Sequence, residues 1–359
     1  MLEIALIILV VLITLSVTYL GTPALYNKIE TNLNIGMLIA LALVLFAGFR
    51  VDTADTNAYM LLFEHCPDFI TMLVSGDFSY LINVREEGGY LFFNALVKIF
   101  TDLPQVLFLI ISIIAVSLYF VSIKTYSVIP IMSLMLYFTN IYMVKEMAQI
   151  RQGLAMAIAI FAIRYLIKER FKKFLLCILI ASLFHKSILV FLILYPFRKI
   201  KINYYFGMLF LVIISILLII NFADNILFYY FGNAEVMARL MVYMNSSYLN
   251  ESDMTRFYEY LIVFVVFLLF NPWMRQKIKY YDIFMTMLAF GLIFMAFWHA
   301  YPFFGDRFAA PMWISLIFLL PGACLLYENK IYKLCCGGIV LLIAIKVFSS
   351  NLAMLGLDI

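Results

Sequence analysis

The fold of this chain is decided by residues 145–195, which read KEMAQIRQGLAMAIAIFAIRYLIKERFKKFLLCILIASLFHKSILVFLILY. A polar cluster opens an apolar run of membrane-spanning length, and lysines and arginines at residues 168–173 close it. A second apolar run follows and is interrupted in its middle by His185, Lys186 and Ser187. Because ionisable groups at membrane depth are costly and usually functional, two interruptions so close together predict a polar cavity within the bilayer.

The composition of the whole chain indicates an integral membrane protein. Of its 359 residues, 66% are hydrophobic and 13% are charged, about half of the roughly 25% charged residues in a soluble domain. The apolar residues form unbroken runs, so we expect an all-α, polytopic protein; a β-barrel would show short alternating segments instead. The net charge of +4 is too small to indicate nucleic-acid binding.

The apolar runs predict about ten transmembrane helices within a single transmembrane domain, residues 1–359, because each run is close to the roughly 20 residues that cross a bilayer. The runs are Ile4–Leu20, Leu33–Phe49, Pro104–Val121, Val128–Val144, Ala148–Ile167, Phe206–Phe222, Phe257–Phe270, Ile283–Ala300, Phe308–Tyr327 and Leu334–Phe348. The first run has no preceding lysine or arginine and no small-residue cleavage site, so we expect a retained span and not a signal peptide.

Clusters of basic residues between the runs predict which loops face the cytoplasm. They lie at residues 168–173, 198–201, 275–279 and 330–333. If the first two are both cytoplasmic, segment 174–197 must enter the membrane and return, and at about 1.5 Å per residue each half is too short to cross. We therefore expect a re-entrant hairpin with His185 and Lys186 near its tip; a single ordinary span is the alternative.

On this topology the outer face of the membrane receives two long loops, at about residues 50–103 and 223–256. It also receives the polar residues at 145–152 and a short turn at 301–307. Within the first loop, Gly89–Phe100 is apolar but too short to span the membrane. We expect it to be a half-helix in the outer leaflet or an amphipathic helix lying on it.

Two motifs in the first outer loop carry charged and aromatic residues. In GFRVDTADTNAY (48–59), an apolar run ends directly in Arg50, and Asp55 and Tyr59 follow. Arg50 is either a snorkelling anchor or a ligand contact, and its outer position runs counter to the positive-inside bias. In REEGGYLFFN (85–94), the carboxylates either begin a helix or, beside the glycine pair, mark a close approach of a ligand to the backbone.

The strongest signal in the sequence is the polar rim at the start of the fifth span. Its members are Lys145, Glu146, Gln149, Arg151 and Gln152. At about 100° per residue, four of them fall within an arc of about 120°, and Arg151 lies about 100° further round. More than half of the helix circumference is therefore polar, which is too wide for a lipid-facing helix end. We expect the rim to face a polar cavity inside the protein.

Three further positions give weaker signals. A lone buried histidine such as His185 is more often a hydrogen-bonded structural residue than a catalyst. Asp306 and Arg307, in FFGDRFAAP (303–311), either neutralise each other at a helix start or contact a ligand. Arg256, at the edge of the second outer loop, is weaker still.

Outward arginines and lysines, close to carboxylates and aromatic residues, suit an anionic ligand with sugar character. Arginine binds phosphate and diphosphate oxygens through paired hydrogen bonds, and aromatic rings pack on the apolar faces of sugars. The sequence has no HExxH, GxSxG, glycine-rich phosphate loop or carboxylate-rich metal motif, and its five cysteines lack metal-ligand spacing. We therefore expect no metal and no cofactor. A soluble nucleotide-sugar donor would have no binding domain on the cytoplasmic face, whereas a lipid diphosphate that enters from the bilayer needs no such domain.

Four segments of the chain form a pattern in order and spacing. They are GFR with ADTNAY (48–50 and 54–59), EEGGYLFFNALV (86–97), IRQGLAMAI (150–158) and ASLFHKSILVF (181–191). The pattern resembles that of the EpsG/Wzy-like polysaccharide polymerases, polytopic proteins that join lipid-linked oligosaccharide repeats. The resemblance extends over about residues 33–196, and the C-terminal half is similar in hydropathy and in Asp306-Arg307.

The resemblance implies a glycosyl transfer at the outer face of the bacterial cytoplasmic membrane. The implied donor is a growing glycan on undecaprenyl diphosphate, and the implied acceptor is the sugar hydroxyl of one lipid-linked repeat unit. Fixed cations stabilise the charge that builds on the departing diphosphate, and Arg151 is the first candidate, before Arg50 and Arg307. The candidate bases are Asp55, Glu86 and His185. The candidate substrate-binding side chains are Tyr59, Arg85, Tyr90, Gln149, Gln152, Lys186, Arg256 and Arg307.

The implied partners are undecaprenyl-diphosphate-linked oligosaccharides, the lipid bilayer, a flippase and a chain-length regulator. Two other classes of protein stay open as alternatives. A flippase or transporter of lipid-linked oligosaccharides also needs a charged cavity, but transporters usually show two related halves, and the polar features here concentrate in one stretch. A membrane acyltransferase acting on the glycan needs a histidine at its catalytic centre, a role that His185 would fill.

Overall fold

The protein is an all-helical membrane protein. The computed structural model describes residues 1–51, 53–84, 86–220, 254–299 and 301–356, and every regular element in these ranges is a helix. Four of the described helices are long and apolar enough to cross a membrane, and there are up to six spans if each bent helix pair counts as one. The all-α class is thus confirmed, whereas the count of about ten spans stays a prediction.

The described residues form the following elements in chain order. Those of the first 200 residues are α1 (Leu2–Gly21), α2 (Pro23–Leu33), α3 (Ile35–Gly48), α4 (Thr56–His65), α5 (Phe69–Ser75), α6 (Ser79–Asn83), α7 (Gly88–Lys98), α8 (Pro104–Tyr126), α9 (Pro130–Tyr137), a π-helical turn (Phe138–Tyr142), α10 (Met143–Lys145), α11 (Ile150–Ile167), α12 (Phe171–Ser182), a 3-10 helix (Lys186–Ile193) and α13 (Leu194–Phe197). The later ones are α14 (Tyr204–Ile219), α15 (Thr255–Leu269), α16 (Asn271–Lys277), α17 (Tyr281–Phe297), α18 (Pro302–Trp313), α19 (Leu316–Ala323) and α20 (Lys330–Met354).

Prolines and asparagines begin several of these helices. Pro23, Pro104 and Pro130 occupy the first turns of α2, α8 and α9, where a missing backbone N–H loses no helical hydrogen bond. The side chains of Asn203 and Asn329 cap α14 and α20 by accepting a hydrogen bond from a backbone N–H. Local sequence therefore sets these helix starts.

The chain divides into two compact units, where the sequence predicts one transmembrane domain. Unit 1 comprises Met1–Leu192 and Leu320–Ile359, and unit 2 comprises Ile193–Leu319. The two stretches of unit 1 join because α20 packs along α1 and against the π-helical turn. Each unit has its own core of apolar helices.

Helices α8 and α11 form the centre of unit 1. Helix α3 packs on α8, α8 packs on α11, and α11 packs on α12. The fully buried alanines Ala155, Ala159 and Ala162 give α11 a slim surface. Small side chains let helices approach closely, which is how helices associate where lipid is as apolar as the protein. This packing fixes the N-terminal end of α11, where the polar rim begins.

The first expected outer loop is largely helical, since α4, α5, α6 and α7 occupy most of residues 50–103. Helix α7 packs against α4, α5, α6 and α8. Val74, Ile82 and Phe100 on this layer are 84%, 78% and 87% exposed. Large apolar side chains exposed to this degree favour a position in the membrane interface.

Segment 174–197, the expected re-entrant hairpin, is broken where the sequence predicts its tip. Helix α12 ends at Ser182, the 3-10 helix begins at Lys186, and His185 lies between them. The return of the second half to the same side of the membrane stays a prediction. The second expected outer loop, 223–256, lies almost wholly outside the described residues.

Unit 2 is built around α17, on which α14, α15 and α18 pack. Nη2 of Arg275 donates hydrogen bonds to Asp282 Oδ1 at 2.8 Å and to the carbonyl oxygen of Ile202 at 2.5 Å. The Asn271 amide donates to the same carbonyl at 2.5 Å. These bonds hold the segment before α14 against α16 and α17, beside a basic cluster that the sequence predicts to be cytoplasmic.

Candidate functional site

Glu86 and Glu87 stand directly before α7, which begins with two glycines. Glu87 occupies the N-cap position of α7, and Glu86 lies in the preceding bend. A Cβ atom at Gly89 would lie 2.6 Å from the carbonyl oxygen of Leu183. Glycine at this position therefore lets α7 approach the turn that carries His185. The glycine pair predicted that a ligand could approach the backbone closely at this point. In the structure, the turn that carries His185 makes this close approach.

Arg151, in the first turn of α11, is the centre of an ionic cluster. Its Nη1 atom contacts a carboxylate oxygen of Glu86 and one of Glu87. The other oxygen of Glu87 lies 3.3 Å from Nδ1 of His185. We call these four residues the ionic cluster. Their side chains are between 14% and 28% exposed, so they are shielded from solvent but still accessible to a ligand.

Two buried tyrosines line one side of the ionic cluster. The guanidinium carbon of Arg151 lies 5.8 Å from the ring centroids of both Tyr59 and Tyr90. The two rings meet edge to face, with their centroids 5.8 Å apart. A cation at this distance from aromatic rings is attracted by the ring electrons. The tyrosine pair therefore helps to fix the orientation of the guanidinium.

The surroundings of the ionic cluster determine its charges. Burial acts to raise the pKa of Glu87, but the close contact with His185 and the charge of Arg151 outweigh burial and lower this pKa to about 2. Burial raises the pKa of Tyr59 and of Tyr90. Glu87 is therefore ionised at neutral pH, and both tyrosines are neutral. With a neutral imidazole, the formal charges of the cluster are two negative and one positive.

Lys145 joins the two sides of a break between α10 and α11. Its Nζ donates hydrogen bonds to Oε1 of Gln149 at 2.6 Å and to Oε1 of Gln152 at 2.7 Å. Helix α10 ends at Lys145 and α11 begins at Ile150, so the continuous helix assumed for the polar rim was wrong. The three side chains do come together, but they do so because the chain turns at residues 146–149.

Below the ionic cluster lies a second set of polar residues, which we call the buried layer: Arg50, Tyr119, Tyr137, Tyr142 and Glu146. Arg50 and Glu146 are each 1% exposed. The three tyrosine rings pack together, with ring centroids 4.3 Å apart for Tyr119 and Tyr137 and 5.9 Å apart for Tyr137 and Tyr142. Among the described atoms, Oε1 of Glu146 and the hydroxyls of Tyr119 and Tyr137 have no hydrogen-bond partner. The buried layer is thus polar, enclosed and incompletely hydrogen-bonded.

Arg50 binds backbone rather than a carboxylate in this layer. Its Nη1 donates to the carbonyl oxygens of Ala47 at 3.2 Å and Glu146 at 3.3 Å. Its guanidinium stacks 3.8 Å from the ring centroid of Phe108. Burial lowers the pKa of Arg50 to about 10, so this residue remains positively charged at neutral pH.

The other predicted site residues are distributed over the rest of the molecule. Asp55 is half-buried at the N-cap of α4, and Lys186 is exposed at the start of the 3-10 helix. Arg256 lies in the first turn of α15 and Arg307 lies on α18, both in unit 2. Arg85 lies outside the described residues. The structure therefore assembles the site around Arg151, within unit 1.

Two residues of this region were not predicted from the sequence. Glu87 was passed over in favour of its neighbour Glu86, and nothing in two adjacent glutamates separates their roles. Thr53 was also missed; its hydroxyl donates to the carbonyl oxygen of Met147 at 2.7 Å. Its position within GFRVDTADTNAY was the available signal. Both contacts depend on how distant segments pack.

The chemistry available in the ionic cluster is that of a guanidinium, two carboxylates and an imidazole. The described residues contain no group of three or more His, Cys, Asp or Glu that could hold a metal ion. The guanidinium suits an anionic group of a ligand. The imidazole beside a carboxylate suits proton transfer near neutral pH.

The fold and the ionic cluster define a class of protein: an all-helical membrane protein with a guanidinium, two carboxylates and an imidazole gathered at the end of a helix long and apolar enough to cross a membrane. Within this class the chain belongs to the EpsG family, whose family model matches residues 33–356. It is similar to the amylovoran biosynthesis protein AmsC of Erwinia amylovora, with 32% identity over 177 residues. The match covers 49% of this chain and 46% of AmsC, about half the length of that relative. No solved structure matches the chain.

Proposed function

We propose that this protein is a polysaccharide polymerase that joins lipid-linked oligosaccharide repeat units on the outer face of the bacterial cytoplasmic membrane. Its EpsG family membership and its similarity to an amylovoran biosynthesis protein support this proposal. The observation that carries it is the meeting of Arg151, Glu87 and His185 at the end of a membrane-spanning helix. In this proposal the donor is a growing glycan on undecaprenyl diphosphate, and the acceptor is one lipid-linked repeat unit.

Arg151 acts on the leaving group. The reaction breaks the bond between the anomeric carbon of the donor and a diphosphate oxygen, and the electron pair leaves with the lipid diphosphate. Negative charge on that oxygen grows towards the transition state. A guanidinium fixed in place therefore stabilises the transition state more than the bound substrate, which is the condition for catalysis. The tyrosine pair beside Arg151 supplies that fixed orientation.

His185 acts on the attacking group. A new bond forms between the anomeric carbon and the acceptor hydroxyl oxygen, and the hydroxyl proton moves to the imidazole. Nδ1 of His185 faces Glu87, so when Nδ1 carries a hydrogen atom, Nε2 is the basic atom. The other candidate bases are less suitably placed, since Arg151 engages Glu86 and Asp55, at the N-cap of α4, is not a member of the ionic cluster.

The test is Arg151→Ala in a strain that lacks the chromosomal gene. We expect the variant to insert normally and to produce no long-chain polysaccharide, so that carrier lipids bear single repeat units. Arg164→Ala is the matched control, because Arg164 lies on the same helix but bonds to the Phe161 carbonyl at 3.2 Å and stacks on the Phe161 ring at 3.5 Å. The control should make a normal ladder of chain lengths.

The location of the single repeat units separates a polymerase from a flippase. A polymerase defect leaves them on the outer leaflet, where they can be transferred to cell-surface acceptors. A flippase defect strands them on the inner leaflet. A normal ladder in Arg151→Ala, at wild-type protein levels, would remove Arg151 from the mechanism.

A further inference from the structure

The Arg151 guanidinium binds anions supplied by the chain itself. Both contacting carboxylates, Glu86 and Glu87, approach the same atom, Nη1. The Nε atom of Arg151 is buried and has no hydrogen-bond partner among the described residues. Two carboxylates on one guanidinium nitrogen give more negative charge than the cation can neutralise. A third anion cannot join them without repulsion.

The two carboxylates differ in how firmly they are held. Glu87 is 14% exposed and also contacts His185. Its pKa of about 2 reflects both partners. Glu86 is 28% exposed, and within the described part of the chain its ion pair is with Arg151 alone. It also lies in a bend before α7 and not in the helix itself. Glu86 is therefore the easier of the two to displace.

We infer that Glu86 occupies the diphosphate position of Arg151 and exchanges with the diphosphate of the substrate, while Glu87 remains on His185. Diphosphate carries more charge than a carboxylate and offers oxygens for two parallel hydrogen bonds to a guanidinium. It can therefore replace Glu86, whereas a singly charged anion gains little from the exchange. In this way Glu86 sets the selectivity of the site for multiply charged anions. The nature of the ligand rests on the proposed function.

The exchange is tested by binding of inorganic pyrophosphate to the purified, full-length protein in detergent. We expect Glu86→Gln to bind pyrophosphate about threefold to tenfold more tightly than the wild type, since it loses the competing charge of a partly exposed ion pair. Glu87→Gln should gain less, because Glu86 still occupies the guanidinium. Glu64→Gln, an exposed charge change on α4, is the control and should bind as the wild type does.

Three outcomes of the binding experiment overturn the inference. Equal tightening in Glu86→Gln and Glu87→Gln would show only a general charge effect. Weaker binding in Glu86→Gln would make Glu86 a ligand contact. Arg151→Ala should abolish binding, and binding that persists in it would place pyrophosphate elsewhere and also overturn the exchange.

Steady-state kinetics with a lipid-diphosphate donor give an independent measure. We expect Glu86→Gln to lower KM for the donor by a similar factor. A loss of kcat at saturating donor would instead identify Glu86 as the base and contradict its role as the exchanging anion. If pyrophosphate binding follows the expected order but no variant, wild type included, makes polymer, the exchange stands and the polymerase proposal fails.

Discussion

Arg50 and Arg151 lie near the same tyrosine pair in unit 1 but have opposite surroundings. Arg151 is 22% exposed and contacts two carboxylates. Arg50 is 1% exposed and donates to two backbone carbonyls. The charges of both arginines act on Tyr59. The difference shows that two nearby cations can have separate partners, with Arg151 bound to side-chain carboxylates and Arg50 bound to backbone carbonyl groups.

The task of Arg50 is to stabilise a broken helix. Its bonds join the last turn of α3, at Ala47, to the break after α10, at Glu146. Thr53 adds a bond to the carbonyl oxygen of Met147 in the same break. Backbone groups freed by a helix break within a membrane protein require such partners from the surrounding structure. Arg50 was predicted as a second catalytic cation, and its burial favours this supporting role.

The largest effect on stability is therefore expected for Arg50→Ala. This variant removes the side-chain donor of two buried carbonyl groups, next to an incompletely hydrogen-bonded Glu146. We expect a loss of about 3–5 kcal/mol in the free energy of unfolding, because each hydrogen bond from a charged group contributes about 1.5–3 kcal/mol. Arg151→Ala should lose about 1 kcal/mol or less, because partly exposed ion pairs contribute little.

Denaturation of both variants in detergent checks this contrast. The two roles would be reversed if Arg50→Ala unfolded at the same denaturation midpoint as the wild type while Arg151→Ala lost much of its free energy of unfolding. Arg151 would then be the residue that supports the helix break. Arg50→Lys adds a second measure: it retains the charge but has no planar group to stack on Phe108. We expect its stability to lie between those of Arg50→Ala and the wild type.

The second prediction concerns catalysis and uses Glu87→Gln. We expect kcat to fall about tenfold to hundredfold, because the histidine loses the group that orients it and a general base contributes about 10²–10⁴ in rate. This loss should persist after kcat is normalised to the amount of folded protein. The measurement is kcat at saturating donor as a function of pH.

A destabilising substitution in the buried layer would not lower the kcat of the molecules that remain folded. A destabilised protein has fewer active molecules at every pH, so its profile of kcat against pH keeps the wild-type shape. A Glu87→Gln profile with the wild-type shape and height would remove the Glu87–His185 pair from the mechanism. Asp55 would then become the leading base, and Asp55→Asn would carry the loss of kcat.

The sequence predicts the class of fold and most members of the ionic cluster, but not their pairing. Arg151, Glu86 and His185 were found because ionisable residues next to apolar runs are conspicuous. The contact between Glu87 and His185 was not found, because it depends on how α7 packs against the turn after α12. Because Glu87 and His185 lie far apart in the sequence, no local sequence pattern reveals their contact.

The break between α10 and α11 shows a second limit of local patterns. A helical wheel assumes an unbroken helix, whereas a π-helical turn at Phe138–Tyr142 precedes the break. The turn is held from α20, where Asn351 donates to the Thr139 carbonyl at 2.7 Å. These two residues are 212 positions apart. Such turns often occur near functional sites, but this one has no signature in its own sequence.

The third prediction tests the close packing at this break. A Cβ atom at Gly153 would lie 2.6 Å from the Lys145 carbonyl oxygen and 3.1 Å from Glu146 Oε1. We expect Gly153→Ala to lower the free energy of unfolding by about 1–3 kcal/mol, the usual effect of overpacking. Gly338→Ala on α20 is the control, because an added Cβ there meets no atom within 4 Å. The control should be neutral or slightly stabilised.

The smallest expected effect is on the stability of the protein in acid. It distinguishes the two arginines, because Arg151 contacts carboxylates that titrate and Arg50 bonds to carbonyl groups that do not. The pKa of Glu87 lies at about 2 in the folded protein, compared with an ordinary value of 4.5. Its contribution to stability is therefore fully present above pH 4.5 and is lost as the pH falls through about 2. We expect this contribution to be about 1 kcal/mol after solvent screening of a partly exposed group.

The measurement is the difference in unfolding midpoint between the wild type and Glu87→Gln, followed from neutral pH to about pH 3. This difference should narrow as the pH falls, because protonation of Glu87 in the unfolded chain removes the advantage of the ionised form. The difference between the wild type and Arg50→Ala is the reference, because Arg50 bonds to carbonyl groups that do not titrate. If the difference in unfolding midpoint between the wild type and Glu87→Gln stayed constant over this range, the pKa of Glu87 would not be lowered. Arg151 and His185 would then not stabilise the ionised form of this carboxylate.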